Sequence, residues 1–76
     1  MRDVPVRDGA IALGQLLQFA GIVDTGGQAK LLLVSDEVLV NDVPESRRGR
    51  KLQEGDVVEV TGHEPMRIAR ADDEEG

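Results

Sequence analysis

The chain has no cysteine, tryptophan or tyrosine, and its 76 residues include one phenylalanine and one histidine. Without thiols there is no disulfide to reinforce a small core and no thiolate metal site. His63 stands beside Glu64 with no second imidazole in the chain, so it reads as a surface histidine rather than a ligand. A single ring, Phe19, rules out the rows of aromatics on which single-strand binders stack successive bases. On the wheel described below it falls on an apolar helix face and is expected in the core. No apolar run approaches the roughly 18 residues of a membrane span, and Met1-Arg2-Asp3-Val4-Pro5 does not read as a signal peptide. These absences fit a soluble cytoplasmic protein. No Ser/His/Asp order, phosphate-loop sequence or dinucleotide fingerprint occurs, and the carboxylates show no informative spacing. The expectation is a non-enzymatic chain without cofactor or metal.

What is present is one domain's worth of chain. A domain this short buries only about 60% of the surface its unfolded form exposes, so every apolar position counts. The net charge is −6, but Asp72-Asp73-Glu74-Glu75 carries four of the negatives, and residues 1–71 come to −2. Four of the nine basic residues lie within Arg47-Arg48-Gly49-Arg50-Lys51. With a screening length of about 8 Å at physiological salt, a ligand feels that local cluster more than the global sum. Arginine offers a planar fork that matches two phosphate oxygens, and Gly49 lets the backbone approach a ligand closely. Four neutralised phosphates would lower affinity roughly 100-fold between 50 and 200 mM salt.

Along the chain, Val4 and Val6 alternate with polar residues as in a short strand, which Pro5 confines to a sheet edge. Residues 10–20 read as a helix. At 100° per residue Ala12, Leu13, Leu16, Leu17, Phe19 and Ala20 share a broad face, with Gln15 and Gln18 opposite and Gly21 ready to end it. Thr25-Gly26-Gly27-Gln28 has the spacing of a capping box at the start of a second helix, whose Ala29, Leu32 and Leu33 share a face. Gly26 and Gly27 suit either a phosphate at the helix start or close packing. Glu37-Val38-Leu39-Val40 reads as a strand, Asn41-Asp42 as a two-residue hairpin turn and Val43-Pro44-Glu45 as the return strand. The basic loop and Leu52 follow, then a tight turn at Glu54-Gly55-Asp56. The strongest strand spans residues 56–61, and residues 65–69 suggest an added edge strand. Residues 1–70 are expected to form the domain, and residues 71–76 a disordered acidic tail. The fold class is α+β, with a helix pair packed on one face of a small, mostly antiparallel sheet.

Five segments in this order resemble the S-four-type RNA-binding domain: residues 11–21, 24–30, 37–41, Glu45-Ser46-Arg47-Arg48-Gly49-Arg50-Lys51-Leu52, and residues 54–60. The similarity spans about residues 4–61 and is strongest to small stand-alone bacterial members. It implies the fold called the αL motif and binding to structured RNA, ribosomal or transfer, through shape and backbone contacts, during ribosome assembly or translation. By position it implicates Thr25, Gly26, Gly27, Gln28 and Lys30 at the second helix, with Arg47, Arg48, Arg50 and Lys51. A monomer is expected, with ribosomal particles as further partners. Gly26 and Leu31 stand where wider relatives carry basic or polar residues.

Two other readings remain open from sequence. Val-Asn-turn-Val followed by Gly-Asp-Val-Val-Glu-Val is also seen in sulfur carriers of the ubiquitin-like fold, although Glu75-Gly76 lacks their Gly-Gly end. Leu31 and Val34 would suit a protein–protein adaptor.

Overall fold

The structure, a computed structural model, describes residues 1–71. Strand β1 (Arg2–Val6) leads through a 3-10 turn into β2 (Ala10–Ala12) and directly into helix α1 (Leu13–Phe19). Helix α2 (Gly26–Val34) follows, then β3 (Val38–Val40), β4 (Val43–Pro44), β5 (Lys51–Gln53), β6 (Val57–Val60) and β7 (Met66–Arg70). The main sheet has the order β1-β7-β6-β3-β4, and β2 and β5 form a separate antiparallel pair. The fold is α+β, and all its strand pairs are antiparallel except β1 with β7.

Register explains the core. Val38 faces Val60, Val40 faces Val58, Val58 faces Met66 and Val4 faces Ile68, so one side of the sheet is lined by apolar residues. These residues form a single buried cluster with Leu13, Leu16 and Leu17 of α1, Ala29 and Leu33 of α2, and Leu52 of β5. No polar or charged side chain is buried among the described residues. Stability therefore rests on apolar burial, worth about 1.5–3 kcal/mol for each fully buried large side chain.

Four expectations need correction. The first helix begins at Leu13, not at residue 10, because residues 10–12 pair with β5: Ala10 faces Gln53 and Ala12 faces Lys51. Phe19 is not core. It lies in the last turn, at the margin of the apolar stripe, and is 61% exposed. The segment expected as an edge strand is β7, one of the two longest strands, and it lies inside the sheet between β6 and β1. Lys51 belongs to β5 rather than to a loop.

Other expectations hold. β1, with Pro5, is an edge strand. Gly21 has φ +78° just past α1. Asn41 and Asp42 turn the hairpin with φ of 51° and 71°. At the C-terminal end, the Ala71 N–H donates to the Val6 carbonyl at 2.9 Å, which ties residue 71 to the domain. The rest of the acidic tail lies outside the described residues. Among those residues, no helix is long and apolar enough to cross a membrane.

Candidate nucleic-acid interface

The basic segment begins where β4 ends and is tied down at both sides. The Glu45 N–H donates to the Val38 carbonyl at 3.1 Å, and Arg50 N–H to Arg47 O at 3.2 Å closes a turn. The N-terminal end of α1 then takes the segment on its free N–H groups: Leu13 N–H donates to Arg50 O at 2.8 Å and Gly14 N–H to Arg48 O at 2.9 Å. The first N–H groups of a helix have no partner within it, so a passing strand of backbone carbonyls completes them. Gly14 is essential to this contact, because a Cβ there would overlap the Cγ of Arg48.

Arg48 bridges the two halves of the site. Its stem crosses Gly14, and its Nη1 donates to the Gly26 carbonyl at 3.3 Å in the first turn of α2. Ala12, Gly14, Gln15, Gln18, Gly26, Arg48 and Gly49 line an open groove of about 300 Å³. Lys51 faces Ala12 across the β2–β5 pair and so sits beside this groove. Lys30 is exposed, one helical turn beyond Gly26 on the same face of α2.

Thr25 caps α2: its Oγ1 accepts from Gln28 N–H at 3.1 Å. The reciprocal half of the expected box is displaced by one residue. The Gln28 Oε1 accepts from Asp24 N–H at 2.6 Å rather than from Thr25. Thr25→Ala should destabilise the protein by about 1 kcal/mol, read as a lower urea midpoint at unchanged m-value. Thr25 and Gln28 therefore already have structural work within the fold, and Gly27 is exposed.

Arg47 and Arg50 are paired with a residue that the motif reading passed over. The Glu45 carboxylate accepts from Arg47 N–H (3.1 Å), Arg47 Nε (3.1 Å), Arg47 Nη2 (3.3 Å) and Arg50 Nη1 (2.9 Å). Hydrogen bonds from Arg47 and then Arg50 hold its pKa down at about 2. The Arg47 guanidinium is correspondingly raised by Glu45. Because the folded-state pKa of Glu45 lies below its ordinary value of 4.5, the stability this contact contributes is fully present above that value. It is lost as pH falls from there through about 2. Four cations and one carboxylate leave the segment with a local charge of +3. The spacing could have revealed Glu45, since it precedes the two arginines by two and five residues. Gly14, Gln15 and Gln18 gave no such signal, because only the fold brings them to the loop.

The S4 domain family model matches residues 4–69. The chain belongs to the S4-domain family. Over 52 residues, 68% of this chain and 73% of the relative, the S4-domain chain is 58% identical to the Probable ribosome maturation protein RlbA of Bacillus subtilis (strain 168). Membership in the S4 family sets aside the ubiquitin-like alternative. Leu31 and Val34 of this S4 domain are exposed, as expected.

Proposed function

We propose that this S4-domain chain is a non-enzymatic RNA-binding protein that recognises structured RNA, ribosomal or transfer, through phosphate and shape contacts. Its helix pair and hairpin are read as the αL motif. By analogy with its ribosome-maturation relative, it acts in ribosome assembly or translation, as a monomer in the cytoplasm. The observation that carries this reading is the reach of Arg48 from the basic segment to the Gly26 carbonyl. It joins two stretches of chain 22 residues apart into one cationic surface. Arg47, Arg50 and Lys51 flank that contact, with Thr25, Gly26, Gly27, Gln28 and Lys30 on the helix side. One ring in the chain is too few to stack successive splayed bases, which favours recognition of backbone and shape.

Glu45 changes the expected magnitude. With a local charge of +3 rather than +4, about three phosphates are neutralised, and affinity for ribosomal RNA should fall about 40-fold between 50 and 200 mM salt. Filter binding across that range measures it. Binding that ignores salt, or no binding at low salt, contradicts the proposal.

A further inference from the structure

We propose that Glu45 is a positioning residue for RNA binding: it clasps Arg47 and Arg50 together with their free edges turned outward. This rests on the RNA-binding reading above and adds to it a residue of the wrong charge for the ligand. Two guanidiniums on so short a segment repel each other and, left free, would splay. Here both are held on one carboxylate. Its Oε2 takes Arg47 N–H and Nε, and its Oε1 takes Arg47 Nη2 and Arg50 Nη1. An ionised carboxylate has about four acceptor sites, so Glu45 is saturated by its own loop.

Exposure sets the order in which a ligand meets these groups. The Glu45 side chain is 10% exposed, against 31% for Arg50 and 74% for Arg47. The acid lies underneath and the cations lie on top. A phosphate approaching the surface meets guanidinium edges that are already ordered, and binding spends less side-chain entropy. Oriented donors also fix where a phosphate sits, which mobile charges do not.

The sign of the effect distinguishes positioning from plain electrostatics. Removing a negative charge from a cationic surface should tighten RNA binding by Coulomb's law alone. If Glu45 positions the arginines, its loss weakens binding despite the gain in positive charge. The probe is purified ribosomal RNA at low salt, with the wild-type chain, Glu45→Ala and Glu45→Gln. Glu45→Ala should weaken binding about ten-fold, since two long side chains must now be ordered by the ligand. Glu45→Gln keeps a neutral acceptor for the Arg47 N–H and should lose about three-fold. Equal or tighter binding by Glu45→Ala overturns the proposal and makes Glu45 a competitor of phosphate.

Thermal melts check that both variants fold, and if Glu45→Ala does not, Glu45→Gln carries the test with the same sign. A second readout needs no RNA. The Arg47 Nε–H resonance should be resolved and slow to exchange in the wild type, and averaged with the other arginines in Glu45→Ala. An averaged wild-type signal removes the clasp itself. A resolved signal in a wild-type chain that binds no ribosomal RNA removes the functional reading instead, and with it any role of Glu45 in binding.

Discussion

Truncating Leu52 to alanine is expected to destabilise the protein by about 2–5 kcal/mol, enough to unfold much of a small domain whose whole stability is about 5 kcal/mol. Leu52 is fully buried, and it is the only buried residue of β5. Its neighbours Lys51 and Gln53 are exposed, so this one side chain fastens the strand to the core. β5 in turn holds the C-terminal end of the basic segment against β2 and the start of α1. The variant therefore loses stability and loop presentation together. Urea unfolding followed by far-UV circular dichroism measures it. Leu31→Ala, on the exposed side of α2, is the control and should stay within about 0.5 kcal/mol of the wild type. A Leu52 variant as stable as that control would show that β5 does not pack as described.

The second large effect concerns binding. Replacing Arg47, Arg48, Arg50 and Lys51 together by alanine should reduce affinity for ribosomal RNA roughly 100-fold or more at low salt. The residual binding should lose most of its salt dependence, because the phosphate contacts that release counterions are gone. Stability should change little by comparison, since these side chains bury no apolar core. Arg48 crosses Gly14 and bonds to Gly26, so a modest fall in melting temperature is expected from it alone. Retention of both wild-type affinity and wild-type salt slope would remove this surface as the RNA interface.

The sequence displayed what is local. The helix stop at Gly21, the Thr25 cap and the Asn41-Asp42 turn each depend on residues within one turn of chain, and each is found, with only the Gln28 half of the Thr25 box moved to Asp24. The alternation of Met66 and Ile68 signalled a strand, but its place between β6 and β1 follows from pairing across the whole chain. Residues 10–12 carry apolar positions that suit a helix wheel. What makes them a strand is β5, some 40 residues later, offering backbone partners. Phe19 shows the limit of a wheel, since a stripe drawn from angles alone cannot tell its margin from its centre. In the site, charge type was legible and charge pairing was not. Glu45 looked like one more scattered acid until the turn brought it onto both arginines.

The β1–β7 pairing sets the order in which the molecule comes together. Arg2 lies opposite Met66 and Val6 opposite Arg70, so β1 finds its ladder in a strand made more than 60 residues later. Helices and hairpin can form while synthesis continues, yet Val4 has no ladder until residue 68 exists. Such long-range closure slows folding relative to helical proteins of similar size. During that interval β7, with Met66 and Ile68, is either unmade or waiting with an open edge. That wait is the period in which a newly made chain is most exposed to wrong pairing with its neighbours.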